Sequence, residues 1–396
     1  MWQRLARVRC PPLRADGKAF STMRAVLWRG DPDPSKMKVE MIQKPSPKKG
    51  EVLVKVRACG VCHTDLHCIK KDLPFPSPAV FGHEISGTVV AHGDGVDISR
   101  LPLGGKVACT FIMPCGSCFH CERGEEDTCA PFFALNRLKG QLYDGSTRLY
   151  STDGQPIAMY SFAGLAEYAV VPQTAVFELP STLAEKHFPE ASLLGCAFFT
   201  AMGAIRNAAE LRAGQSTVII GAGGVGQGII QLAKHLGAGP IIAVDISDKA
   251  LDMAATLGAD HCINARKEDV LERIAAVTEG HKADVCLEVI GSKATFEQAL
   301  LSVRDGGRAC YVGIAAATTK AEVPITHLVR RRISLVGSYG ARASQDMPEL
   351  LSIAAQGGVD LPSAVTRRFT MDQAAEAYSL LDQGQIAGRA LIDMGE

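Results

Sequence analysis

From Ser216 to Ile220 the chain is a short apolar run. It passes directly into Gly221-Ala222-Gly223-Gly224-Val225-Gly226 and then into a helical stretch, Gln227 to Leu236. A G-x-G-x-x-G turn says little alone, but between a strand and a helix it marks a βαβ unit built for a dinucleotide. Gly221 permits the tight turn, Gly223 lets the backbone approach a pyrophosphate, and Gly226 lets helix and strand pack closely. Gly224 and Val225 complete the loop, and the helix N-terminus offers free N–H groups to phosphates. Asp245 closes the next apolar run, Ile241-Ile242-Ala243-Val244. A carboxylate there accepts from both ribose hydroxyls and repels a 2′-phosphate, so NAD is expected in preference to NADP. Asp248 is read as the cap of the following helix. Lys249 lies near the adenosine ribose or is simply solvated. Strand-like runs at 284–289, 309–313 and 333–337, the earlier ones separated by helical segments near 269–278 and 293–302, predict a doubly wound parallel sheet. Residues 362–396 add no further unit of this kind and are expected to return to the first half of the chain.

The first half has a different texture. Strand-like runs at 23–28, 51–58, 85–93, 106–110 and 165–171 are broken by Gly and Pro, which predicts a small β-barrel-like domain. The run 51–58 alternates with period two and delivers the chain to Gly60-Val61-Cys62-His63-Thr64-Asp65-Leu66-His67. Gly82-His83-Glu84 follows, and Gly195-Cys196 lies far downstream. Cys62, His83 and Cys196 make a three-ligand zinc site with the fourth position open to a substrate oxygen, the catalytic pattern. Separately, Cys115, Cys118, Cys121 and Cys129 are spaced C-x2-C-x2-C-x7-C, which closes a tetrahedral structural zinc shell. Two zinc ions per chain are therefore expected. Iron–sulfur ligation is the weaker reading beside a separate Cys/His site. Residues 131–165 are loop-rich and name no ligand; their length suggests a substrate mouth or a subunit contact.

A chain of 396 residues is too long for one ordinary core. A formal charge of +0 gives no reason to expect nucleic acid or an anionic membrane as partner. No apolar run reaches the ~18 residues of a membrane span. Thirteen cysteines, an odd number in a long chain with no secretory signal, point to metal ligation and ordinary thiols in preference to a disulfide framework. Residues 1–22 hold Arg4, Arg7, Arg9, Arg14 and Lys18 against one acid, Asp16. That composition suits a mitochondrial transit peptide, with chloroplast targeting or a cytoplasmic chain with a disordered extension as alternatives.

Taken together, Cys62-His63-Thr64-Asp65, Gly82-His83-Glu84, the four-cysteine lobe, Cys196 and the glycine loop with Asp245 resemble the medium-chain zinc alcohol dehydrogenases over nearly the whole chain. Cys-Ala-Phe-Phe-Thr-Ala at 196–201 and Gly-Ser-Tyr-Gly-Ala-Arg at 337–342 look closest to the plant and algal organelle-associated branch. The resemblance implies an α/β protein. A GroES-like β-barrel catalytic domain would cover 23–196 and 339–396, with a Rossmann coenzyme domain over 197–338. It implies an NAD- and zinc-dependent interconversion of alcohol and aldehyde, in a homodimer or homotetramer acting on a small molecule. Asp65 would orient His83, and Glu84 would be a carboxylate able to approach the metal. Thr64 would hydrogen-bond the alcohol, and His67 would relay its proton to solvent through the cofactor ribose. His63 and Arg389 would contact pyrophosphate, Val312 would line the cofactor site, and Phe111 and Ile314 would line the alcohol pocket. Ala197 and Ala201 stand where many relatives have Gly, and their methyls are expected to narrow the cofactor or substrate space. A glutathione-adduct (formaldehyde-type) dehydrogenase is the rival enzyme, and a non-catalytic dinucleotide sensor the rival of another class.

Overall fold

The computed structural model describes residues 21–395. The expected targeting segment therefore falls almost wholly outside the described residues. Ser21 and Thr22 do not: the Ser21 carbonyl accepts from the Lys44 N–H, and Thr22 opens the strand Thr22–Leu27 and pairs with Gln43, one residue before the strand start that the sequence implied.

The strand Glu51–Val61 organises the first sheet. Val52, Val54 and Val56 are buried on one side of its pleat, and the strand is long enough for three partners. Ile85–His92 runs antiparallel along one edge. On the other edge Tyr168–Pro172 pairs with its first half and Arg389–Asp393 with its last residues. Lys106–Cys109, Val176–Glu178 and Val365–Thr370 complete seven strands. The C-terminal residues thus return to the first domain, as expected, and the last strand braces the backbone just before Cys62.

The second sheet has six parallel strands in the spatial order His261–Asn264, Ile241–Asp245, Thr217–Ile220, Ala283–Glu288, Val303–Tyr311, Ser334–Gly337. The strand that comes first in the sequence, Thr217–Ile220, lies centrally and successive strands spread outward in both directions, which opens a crevice at the carboxyl ends of Thr217–Ile220 and Ala283–Glu288. Helix Gly224–Leu236 follows the glycine turn and ends at Gly237 in the left-handed region, as helices commonly do. The following helix, Asp248–Leu257, is capped by Ser247, whose hydroxyl accepts from the Ala250 N–H; Asp248 instead pairs with Lys267 and Asn264.

Residues 131–165 are loop-rich, as the sequence implied, but they carry a π-helical turn, Phe132–Arg137, and two short strands, Leu149–Tyr150 and Pro156–Met159, that build a three-stranded sheet with Ala79–Val80. Arg148, buried there, is anchored by Glu51 of the central strand and reaches Asp144 as well. One expectation needs correction. The methyls of Ala197 and Ala201 do not narrow the cofactor or substrate space. Both residues are fully buried in the helix Ala197–Gly203, outside the lining of the cavity described below, and the Ala201 methyl and the Ala197 carbonyl face Gly228 of Gly224–Leu236. The glycine at 228 lets the two helices approach with Ala201 facing it.

Candidate active site

One cavity of ≈ 460 Å³ sits between the sheets. Cys62, His83, Cys196, Thr64, His67 and His63 line one end, and Gly221, Gly223, Gly224, Val225, Gly226 and Asp245 the other. Val312, Ile314, Phe111 and Arg389 lie along its walls. Of the expected site residues facing substrate or cofactor, Lys249 alone falls outside the lining; it is exposed near the start of its helix. That is the solvated alternative.

The metal donors arrive from three places. Glu51–Val61 ends at Cys62, which precedes the short helix His63–Ile69. His83 and Glu84 stand immediately before Ile85–His92. Cys196 lies between the turn Glu190–Gly195 and the helix Ala197–Gly203. Gly60 is required here: a Cβ would run into the Glu84 side chain, whose backbone carbonyl accepts the Gly60 N–H at 2.8 Å. Donor atoms of Cys62, His83, Glu84 and Cys196 all lie within 4.8 Å of one another, and all four residues are buried.

The electrostatics of this cluster call for a cation. The Cys62 thiol is held well below its usual range, chiefly by the hydrogen bond from Cys196 and then by His83. Burial opposes a charged His83, but Asp65 and Cys62 outweigh it and raise the imidazole to about 10. Burial lifts Glu84 to about 7, and its Oε2 is buried without a hydrogen-bond partner. Two sulfurs, an imidazole and a carboxylate pressed together in low dielectric make the donor chemistry of zinc. The cysteine lobe fits a second zinc equally: the sulfurs of Cys115, Cys118, Cys121 and Cys129 cluster within the same 4.8 Å limit. The lobe is docked on helix Ala343–Ala355, where Ser344 Oγ donates to Glu126 at 2.7 Å and Gln345 donates to the Gly124 carbonyl at 3.0 Å.

Around the donors, His83 Nδ1 is 2.8 Å from Asp65 Oδ1, and the Tyr378 hydroxyl donates to Asp65 Oδ2 at 2.7 Å. That chain fixes which imidazole nitrogen is left for the metal. Thr64 Oγ1 is 3.7 Å from Cys62 Sγ. His67 Nδ1 meets Asp72 Oδ2 at 3.0 Å, with both side chains partly in solvent. Arg389 is pinned at Glu84 by a 2.7 Å ion pair, and its stem passes so close to Gly224 that no Cβ would fit there. Its Nε has no hydrogen-bond partner. Asp245 accepts from the backbone N–H groups of Ala222 and Ser247, at 2.8 and 2.9 Å, so its carboxylate is oriented by the glycine turn itself.

Three residues of the site escaped the sequence reading. Tyr378 is 313 positions from Asp65, and nothing local marks it. Asp72 is one acid among many just beyond a helix. Arg137 lines the cavity from the segment read as loop.

Comparison with known proteins agrees with this geometry. Residues 48–181 match the alcohol dehydrogenase GroES-like domain and residues 224–356 the zinc-binding dehydrogenase domain. S-(hydroxymethyl)glutathione dehydrogenase of Escherichia coli O139:H28 is 32% identical over 344 residues, covering 86% of this chain and 91% of that one. Among solved structures, an alcohol dehydrogenase zinc-binding domain protein from Burkholderia ambifaria superimposes with a TM-score of 0.88 at 31% identity, covering 95% of this chain and 100% of that one. Benzyl alcohol dehydrogenase from Acinetobacter calcoaceticus does so with a TM-score of 0.86 at 28% identity over the same shares. With a zinc donor set and a dinucleotide turn facing one cavity, and with relatives of this kind matching along nearly its whole length, the chain belongs to the zinc-dependent medium-chain alcohol dehydrogenase family, enzymes that interconvert an alcohol and its aldehyde or ketone by hydride transfer to or from NAD.

Proposed function

We propose that Cys62, His83 and Cys196 hold the catalytic zinc, that Cys115, Cys118, Cys121 and Cys129 hold a structural one, and that the chain works on aldehydes and primary alcohols small enough to share the cavity with NAD. The observation that carries this is that the donor set, Thr64, His67, the glycine turn and Asp245 all line one cavity. Bound zinc supplies a Lewis acid and NAD the hydride acceptor. The chain's own residues do the rest. The Thr64 hydroxyl accepts the hydrogen bond of the substrate hydroxyl. His67, steered by Asp72, passes the proton to solvent. Asp65 and Tyr378 hold the His83 ring in place. Glu84 offers its unpartnered oxygen to the metal, and Arg389 stands between Glu84 and the cofactor phosphates with His63 beside it. Phe111 and Ile314 wall the substrate, Val312 supports the cofactor, and Asp245 selects NAD over NADP.

The test is NADH oxidation across aldehydes from formaldehyde through C2–C9 saturated and 2-alkenals, repeated with Cys62→Ser and with a chelator. Turnover that survives Cys62→Ser would sink the assignment. A second reading, oxidation of a glutathione–formaldehyde adduct, is favoured by the likeness to the Escherichia coli S-(hydroxymethyl)glutathione dehydrogenase; the same assay with glutathione and formaldehyde under NAD decides it.

The sequences at 196–201 and 337–342 support placement in the plant and algal organelle-associated branch. The basic, acid-poor residues 1–22 support import into mitochondria, which a tagged full-length chain that stays in the cytosol would refute. Ser334–Gly337 is the edge of the six-stranded sheet, and exposed Leu335, Ile325 and Val329 lie on or near it. An edge of this kind invites pairing with a second copy, which supports a homodimer or homotetramer. Light scattering that gives only monomer would count against it.

A further inference from the structure

Arg137 is the cation in the cavity that the chemistry above leaves unused. It ends the π-helical turn Phe132–Arg137 and contributes to the cavity lining. Its Nε, Nη1 and Nη2 are each shielded from solvent, and none has a hydrogen-bond partner among the described residues. No carboxylate pairs with it among those residues either. Its surroundings are aromatic: the guanidinium carbon lies 4.1 Å from the centre of the Tyr160 ring, 4.7 Å from Phe132 and 5.4 Å from Phe111. Burial works against the charge, yet the guanidinium is held above its ordinary range and stays protonated near pH 7. Burial also pushes the Cys68 thiol up to about 12 and the Tyr160 phenol well above its usual value, so both are neutral near pH 7. Ring faces offset part of the desolvation of a guanidinium, but they satisfy none of its five N–H donors. Buried polar groups are normally hydrogen-bonded, and a buried charge is normally paired.

The position of this unpaired cation relative to the metal donors gives it a use. The His83 ring stands 5.5 Å from Tyr160 and 5.9 Å from Phe111, the same two rings that carry the guanidinium. Arg137 is therefore one aromatic layer away from the donor set. Phe111 and Tyr339, in edge contact at 5.6 Å, both line the cavity beside it.

We propose that Arg137 receives the carboxylate of the substrate, so that the preferred alcohols and aldehydes carry a carboxylate a short, partly apolar span away from the reacting carbon. Only a swing of the guanidinium off the Tyr160 face is needed to present its fork to a carboxylate, whose planar, bidentate geometry matches it. The proposal rests on the dehydrogenase reading above and narrows its substrate class.

The experiment compares kcat/KM under NADH for 4-carboxybenzaldehyde and its neutral isostere 4-formylbenzamide, and for succinic semialdehyde and butanal, in the wild-type enzyme and in Arg137→Met and Arg137→Lys. The wild type is expected to favour the carboxylate member by about 10- to 100-fold, the range of a charge-assisted hydrogen-bonded contact. Arg137→Met should collapse that ratio towards one through a rise in KM for the carboxylate substrate, with Arg137→Lys retaining part of it. A wild-type enzyme that turns over the neutral aldehydes with no charge preference overturns the proposal with no variant needed and leaves the dehydrogenase reading intact. A ratio unchanged in Arg137→Met also overturns it. No turnover of any aldehyde with two zincs bound overturns both readings. The glutathione–formaldehyde adduct under NAD, assayed in the same proteins, tells which carboxylates are used: a loss in Arg137→Met for the adduct as well as for the two carboxylate aldehydes adds the peptide as a source, and a loss for the aldehydes alone excludes it.

Discussion

At the scale of single residues, the site separates groups that hold a ligand from groups that hold those groups. Cys62 is of the first kind. Cys62→Ser is expected to abolish turnover and to lower bound zinc from two ions per chain to one, read by metal analysis on the folded protein. Tyr378 is of the second kind. Among the described residues its hydroxyl hydrogen-bonds Asp65 alone, which in turn orients His83. Tyr378→Phe keeps the ring and its packing and removes the one donor. Outer-shell partners of this sort are worth about 10- to 100-fold in activity or metal affinity, so kcat/KM should fall by about 10-fold and zinc should exchange faster into a chelator. If both are unchanged, the hydrogen-bond chain has no part in setting the imidazole. Asp245 is legible at this scale too: Asp245→Ala should raise the use of NADPH relative to NADH, since the carboxylate no longer repels a 2′-phosphate. An NADPH/NADH ratio that does not move would assign the selectivity elsewhere.

Elements carry the next set of consequences. The segment 131–165 is tied to the central strand by Arg148, whose guanidinium meets Glu51 with both side chains nearly inaccessible. Removing one member of a buried pair leaves the other charged and unpaired, at about 3–5 kcal/mol. Arg148→Met should lower the urea midpoint accordingly, and a change under 1 kcal/mol would mean that Glu51 finds water or a proton. Asp144, at the outer end of the same network, is opposed by burial, but hydrogen bonds from Lys48, Arg148 and Ser146 pull its carboxyl well below the usual range. A depressed folded-state pKa gives stability that is present above the unfolded value of about 3.9 and is lost as pH falls below it. The melting temperature should therefore decline on acidification towards pH 3, and Asp144→Asn should flatten that decline. The cysteine lobe is an element held by metal at one end and by Ser344 and Gln345 at the other. Cys118→Ser should release its zinc and destabilise the lobe first.

For the whole molecule, what matters is the meeting of two sheets. The crevice at the carboxyl ends of Thr217–Ile220 and Ala283–Glu288 faces the end of Glu51–Val61, and the last strand, Arg389–Asp393, returns from beyond the coenzyme domain to brace that end. Arg389 itself reaches from this strand to Glu84 while its stem lies against Gly224. One side chain thus links the metal cluster to the dinucleotide turn. Helix Ala197–Gly203 begins at the residue after Cys196 and packs on Gly224–Leu236, so a metal donor and the phosphate-binding helix share one rigid contact.

The parts of this protein that the sequence determined alone are the local ones. A strand, a glycine turn and a helix are contiguous, so Gly221–Gly226 and the acid that follows could be read directly, and four cysteines within fifteen positions declare their own geometry. Cys62-His63-Thr64-Asp65 and Gly82-His83-Glu84 are likewise short enough for chemistry to be recognised by spacing. Tertiary structure decided what depends on direction and distance in space. Ala197 and Ala201 look like wall residues until the helix buries both side chains and turns the Ala201 methyl towards Gly228. Tyr378 becomes part of the metal site only because the C-terminal residues fold back over Asp65. Arg137 gains meaning only when three aromatic rings are seen to surround it with no carboxylate paired to it among the described residues. A sequence records which groups a chain owns; which of them end up buried without a partner is settled by packing, because burial and pairing are properties of neighbours that the chain brings together from far apart.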